Sequence, residues 1–299
     1  MISFDALGQA WLQFFHAPEP VAALCLFRIA FGLLLAFNAA CLLPYADDLF
    51  GPYGVFGTDS FRHAYRHRRL SVFHLLPHST RLPKAVVVMW LLASLAVAAG
   101  FMTWLTTPLA WLCLASLHHR NPVSFNSGDS VQRLLLLLLC FAPSGAALSV
   151  DCWLRGNDIW SSLRDKQFDP WPVRLMQIQI SIIYIRTVGW KLRGKTWRNG
   201  TAVAYSLRVV DFRRFPVPTM LFHRAANGLL TYGTLVMEAF VGVGVWFSDL
   251  RYAAIIAGWV LHAGIETFIN VHLFGLAMCI GLMTFLPPQD VADWLLSFR

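Results

Sequence analysis

Long apolar runs separated by polar connections organise this chain. Near the start, Phe4, Leu7, Trp11, Phe14 and Phe15 recur at near-helical spacing over residues 3–16. That pattern predicts a short amphipathic helix lying in a membrane interface. Apolar runs follow at roughly 20–43, 84–102, 104–118, 129–149, 172–192, 222–247, 250–269 and 271–287. Most approach the roughly 20 residues that a bilayer core requires, although the pair around residue 103 is short and makes a tight hairpin. They carry no strand alternation, and lipid-facing backbone must satisfy its hydrogen bonds within the segment, so helices are predicted. "PPQDVADWLLSFR" closes the chain as a second interfacial helix. The expected fold is an all-α integral membrane protein: one polytopic bundle of about eight transmembrane helices over residues 1–299, with amphipathic interfacial helices at both ends and no extramembrane domain.

Composition strengthens that picture. Apolar residues make up 57% of the chain and charged residues 13%, with a mean hydropathy of +0.55. A soluble protein of 299 residues needs a polar skin that this chain cannot build. The net charge of +8 does not imply nucleic acid, because Lys and Arg gather in the connections, where they suit lipid headgroups and topology. Six cysteines include no CxxC pair, so neither a redox motif nor a zinc site is indicated. No Lys or Arg precedes the first apolar residues, so a cleavable export signal is not expected. The connections 44–84 and 191–224 hold most of the positive charge, and with eight spans they share one side, which the positive-inside rule assigns to the cytoplasm.

Arg28, Arg186, Glu238 and Glu266 lie inside apolar runs. Each costs at least roughly 2.5–3.5 kcal/mol at mid-membrane, so they are expected to face the bundle interior. Two readings stand together: internal ion pairs of Arg28 or Arg186 with Glu238 or Glu266, and a polar cavity that binds something. His262, Glu266 and Asn270 follow at four-residue intervals and share one helix face. A His and a Glu fall short of a metal site, so a polar stripe is expected and no metal. Lys191, at the end of its run, either snorkels to the interface or, held in a dry pocket, serves as a general base.

The stretch from Val173 to Leu207, "VRLMQIQISIIYIRTVGWKLRGKTWRNGTAVAYSL", resembles the lysine-bearing segment of vitamin K-dependent gamma-glutamyl carboxylases, with Tyr184, Lys191, Leu192, Trp197 and Gly200 in the family's order. It resembles still more closely the bacterial relatives called the HTTM family, whose Lys-Leu-x-Gly-x-x-Trp-x-x-Gly pattern is close to "KLRGKTWRNGTA". "RIAFGLLLAF" with "LFGPYGVFG", "HHRNPVSFNSGDSVQRLLLLLLCFAPSGAALSVD" and "NVHLFGLAM" are similar to further family segments in the same order.

The resemblance implies a multi-pass enzyme of the bacterial inner membrane that uses reduced vitamin K or a related lipid quinol, with Lys191 as the base. Asn126, Asp129, Tyr184, Arg186, Trp197, His262, Glu266 and Asn270 are then expected around the quinol or substrate, with Lys195 and Arg198 at the mouth. Where the carboxylases carry a functional His, this chain has Gly128. The carboxylases also carry a large lumenal domain after their spans, whereas this chain ends at Arg299, so an exported peptide is expected to be supplied by a small partner protein or to bind the membrane part directly. A non-catalytic accessory protein that escorts or matures such a peptide is the alternative. The resemblance places the lysine's helix end outside the cytoplasm, opposite to the charge rule.

Overall fold

The computed structural model describes residues 4–64, 71–76 and 78–299. Residue 3 of the first interfacial helix and residues 65–70 of the first basic connection lie outside the described part. The fold is nearly all α, with 74% of residues helical. It divides into two compact units, Met1–Arg174 with Pro287–Arg299, and Leu175–Leu286.

The first unit contains α1 (Phe4–His16), α2 (Ala22–Leu42), α3 (Ala46–Phe50), α4 (Thr58–Ala64), α5 (Leu82–Ala99), α6 (Thr103–Arg120), α7 (Ser127–Leu139), α8 (Val150–Leu154), α9 (Ser162–Asp165) and the C-terminal helix Pro288–Leu296. Strands Glu19–Pro20 and Gln167–Phe168 pair antiparallel. Leu24, Phe27, Phe31 and Leu35 bury one face of α2, while Val86, Val87, Trp90 and Val97 bury one face of α5. These helices pack closely because Gly32 has no side chain: a Cβ there would lie 2.6 Å from the backbone nitrogen of Ala98. α1 leaves Leu7, Trp11 and Leu12 exposed, consistent with its amphipathic pattern.

The second unit takes most of α10 (Trp171–Arg193), then α11 (Lys195–Arg198), α12 (Ala202–Arg208), α13 (Arg224–Gly244), α14 (Arg251–Phe268) and α15 (Phe274–Leu282), which continues as a 3-10 turn, Met283–Phe285. The buried face of α13 recurs at Asn227, Thr231, Leu235 and Glu238. In α14 it recurs at Ala254, Gly258 and His262. Both repeats follow the three-or-four-residue spacing of one helix face. The Asn227 side-chain oxygen accepts from the Ala204 backbone N–H (2.8 Å) and the Thr231 hydroxyl from that of Val203 (3.3 Å), so the inner stripe of α13 caps the start of α12.

Every predicted apolar run contains a helix, but not every helix fills its run. Among the described residues two stretches, Ala22–Phe50 and Leu82–Ala99, are long and apolar enough to cross a membrane; Phe274–Phe285 with Pro288–Leu296 makes a third only as a bent pair. A continuous helix over 129–149 is not found. α7 stops at Leu139, and Pro143 follows, which lacks an N–H and disfavours helical backbone at the residue before it. Its thirteen residues reach about 20 Å against the roughly 30 Å of a bilayer core. The run 271–287 likewise shortens to α15 and its 3-10 turn ahead of Pro287.

Three of the most buried charged side chains in the first unit, Arg28, Arg120 and Asp151, are held by backbone groups. Arg28, fully buried, donates to the Leu148 carbonyl at 2.5 Å and sits against Gly100, whose left-handed φ of +70° closes α5. Arg120 donates to the carbonyls of Phe56 (2.6 Å) and Gly51 (2.7 Å), and Asn121 to that of Leu49 (2.9 Å). These bonds tie the Phe-Gly loop to the end of α6. Asp151 caps the start of α6 from a distance, accepting from the backbone N–H groups of Met102 (2.7 Å) and Thr103 (3.0 Å) and from the Thr103 hydroxyl (3.2 Å).

Burial pushes the Asp151 carboxyl up, but the hydrogen bonds from Thr103 and Met102 outweigh it and hold the group below the usual carboxylate range. A depressed folded-state pKa contributes stability that is present above the unfolded value, about pH 4, and lost as pH falls through the lower folded value. Asp151→Asn is therefore expected to lower stability at pH 7 by about 1–3 kcal/mol and to weaken the acid-induced loss below about pH 4. Thermal melts of the detergent-solubilised protein across pH 3–7 check this; parallel curves for the two proteins would contradict it.

Candidate active site

Helix α10 carries a polar ladder along an apolar body. Gln177, Ser181, Tyr184 and Lys191 are spaced by four, three and seven residues, which sets them on one face. Each finds a partner inside the second unit. The Gln177 amide donates to the Thr284 carbonyl at 2.7 Å, and the Trp246 indole N–H donates to the Ser181 hydroxyl at 2.8 Å. The Tyr184 hydroxyl bonds His262 Nε2 at 2.8 Å. Lys191 Nζ donates to Glu238 Oε1 in an ion pair.

Packing places these groups. Gly242 on α13 lies against Tyr184 and Ile185, where an added Cβ would meet side-chain atoms at 3.1 Å. Gly258 on α14 admits Leu282 and leaves room for the Tyr184 hydroxyl. The Lys191 side chain is 19% exposed and that of Glu238 8%, so most of both has left water. Lys191 Nζ also stands 4.6 Å from the centre of the Trp197 ring, a cation–π arrangement.

Two buried polar atoms of this cluster have no hydrogen-bond partner: Glu238 Oε2 and His262 Nδ1. Both atoms lie beside the ion pair and could accept a hydrogen bond from, or donate one to, a polar ligand atom or water. An amine, a carboxylate, a phenol and an imidazole within one apolar helix bundle supply a proton acceptor, a second acceptor behind it and a hydrogen-bonded pair to orient a substrate.

Of the expected site residues, Lys191, Tyr184, Trp197 and His262 come together here, with Glu238 added. The rest are placed elsewhere. Arg186 is exposed, 5.9 Å from the Trp190 ring. Glu266 pairs with Arg214 at 3.0 Å and accepts from the Gly275 N–H, while exposed Asn270 accepts from Arg214 at 3.1 Å. The stripe of His262, Glu266 and Asn270 thus divides between two sets of partners.

Asn126 and Asp129 belong to the first unit and form a capping box. Asn126 accepts from the N–H groups of Gly128 (2.6 Å) and Asp129 (3.2 Å), and Asp129 accepts from that of Asn126 (3.1 Å). Asp129 also accepts from Asn38 at 3.4 Å. The expected pairing of Arg28 or Arg186 with Glu238 or Glu266 is corrected: Glu238 takes Lys191 and Glu266 takes Arg214, because the lysine and the loop arginine are the cations packed beside those carboxylates. Among the described residues no group of three or more His, Cys, Asp or Glu side chains is arranged to hold a metal ion.

Residues 16–294 match the family model described as the HTTM domain, and the chain belongs to that family. The HTTM domain is the membrane domain of vitamin K-dependent carboxylase-like proteins, and this is a membrane protein. No curated protein and no solved structure matches the chain.

Removing one partner of a buried ion pair strands the other charge, whereas removing both does not. Lys191→Met is accordingly expected to destabilise the protein more than the double variant Lys191→Met/Glu238→Leu, with a coupling of about 1–3 kcal/mol. Thermal unfolding of the wild type, both single variants and the double variant measures it. Additive losses would show that the two side chains do not depend on each other.

Proposed function

We propose that this HTTM-family protein is a multi-pass enzyme of a bacterial inner membrane, built on about eight membrane-crossing helices with interfacial helices at its ends. In this reading it uses a lysine base and a lipid quinol, reduced vitamin K or a relative, for chemistry on an exported peptide or small substrate. The single observation that carries the reading is the ion pair of Lys191 and Glu238 beside two buried, unpartnered polar atoms.

The residues fit such a group. Its apolar tail would lie among the helices, and a ring hydroxyl would meet the unpaired Glu238 oxygen or His262 Nδ1. A bound quinol would supply an ionisable hydroxyl and a ring that dioxygen, as co-substrate, would oxidise. Lys191 would pass its proton to Glu238, and the free amine so formed would accept a proton at Nζ from a hydroxyl held beside it. Tyr184 and His262, bonded to one another, orient the ring edge. The surrounding apolar side chains keep bulk water away, so the proton moves between these groups rather than into solvent.

Lys191→Arg tests this directly, because arginine keeps the positive partner for Glu238 but does not deprotonate. The variant is expected to accumulate normally and melt near the wild type, while quinol oxidation by the purified protein falls by about 10²–10⁴-fold. Turnover at the wild-type rate would remove Lys191 from the chemistry. The same pair also suits a second reading, in which it is only a clamp inside a non-catalytic protein that escorts a peptide. On that reading the wild type itself leaves the peptide's mass unchanged and co-purifies with it.

A further inference from the structure

A cavity of about 960 Å³ lies in the second unit, between the loop after α11, the helix α12 and the start of α13. It shares no lining residue with the Lys191 cluster. Its wall carries Arg208 and Arg224 together with His223, and no Asp or Glu lines it. Neither arginine takes part in an ion pair among the described residues. Arg208 stands 5.4 Å from the centre of the Phe222 ring, which fixes its guanidinium at the cavity edge.

Three further features converge there. The 21-residue helix α13 begins at Arg224, and His223 before it makes no side-chain cap, so the first-turn N–H groups face this end without a side-chain acceptor. The lining Asn227 side chain, by contrast, already accepts from the Ala204 backbone N–H of α12. Large apolar side chains stand exposed on the lining: Tyr205 at 58% and Leu229 at 75%. Unpaired guanidinium groups, an uncapped helix start and an adjoining apolar rim match one ligand chemistry, a phosphate anion with a greasy attachment.

We infer that this cavity binds a phosphate group, presented by an anionic phospholipid whose acyl chains run along Leu229 and Tyr205. Guanidinium groups suit this role because their planar donors pair with two phosphate oxygens at once. The site is separate from the proposed proton chemistry, and its loss leaves the Lys191 cluster intact.

Native mass spectrometry of the full-length protein in neutral detergent tests the inference, with phosphatidylglycerol, phosphatidylcholine and inorganic phosphate added separately. One phosphatidylglycerol is expected to be retained in preference to phosphatidylcholine. Arg208→Gln/Arg224→Gln should weaken that binding by at least tenfold, and Arg208→Lys/Arg224→Lys should recover part of it. Gly228→Leu gives a second route, because nothing lies within 4 Å of a Cβ at that lining position and the new side chain fills open space without an internal clash. It too should reduce phosphatidylglycerol binding.

Arginine-dependent binding of inorganic phosphate as tight as that of the lipid would keep the phosphate site and assign it to the free anion. Equal retention of phosphatidylglycerol by the wild type and all variants, or equal retention of phosphatidylcholine, would overturn the inference.

Discussion

A charge taken out of water must find an opposite charge or a set of dipoles, and the second unit is arranged around one such requirement. Glu238 sits on the inner face of α13 with 8% of its side chain exposed. Left alone there it would cost several kcal/mol. Lys191 reaches it from α10, and satisfying that pair fixes the rotation of both helices. Once α10 is turned so that Lys191 faces Glu238, the residues seven, ten and fourteen positions earlier face inward as well. Tyr184, Ser181 and Gln177 then need partners, and His262, Trp246 and the Thr284 carbonyl supply them.

The first unit meets the same requirement by another route. Arg28 and Arg120 are almost entirely buried, yet both are held by backbone carbonyls rather than by carboxylates. Asp151 is held by backbone N–H groups. These contacts close turns and helix ends, so their electrostatics serve the fold. In the second unit Glu238 is held instead by a lysine from another helix, and that lysine also faces the Trp197 ring.

Much of this was legible in the chain before any coordinates. Each apolar run holds a helix, though the one over 129–149 stops at Leu139, and the basic loop "KLRGKTW" carries Lys191 and Trp197, which the structure brings together. Pro143 could have warned that 129–149 would not be one helix, since proline at that position removes a donor and bends the backbone before it. The capping role of Asn126 and Asp129 was also present locally, as an Asn followed three residues later by an Asp at the head of an apolar run. Ion-pair partners were not legible. Lys191 and Glu238 are 47 residues apart, and only the packing of α10 on α13 brings them together. The four-residue stripe on α14 was read as one surface, but the helix ends at Phe268, so His262 stays inside while Asn270 lies beyond the end and meets Arg214.

The account stands or falls on whether Glu238 takes up the proton that Lys191 releases when a quinol binds. Infrared difference spectroscopy on the full-length protein in lipid discs reads this event through the carbonyl stretch of a protonated carboxylic acid. Adding reduced vitamin K should raise that band in the wild type and not in Glu238→Gln. No band in the wild type, or the same band in the variant, would contradict the account.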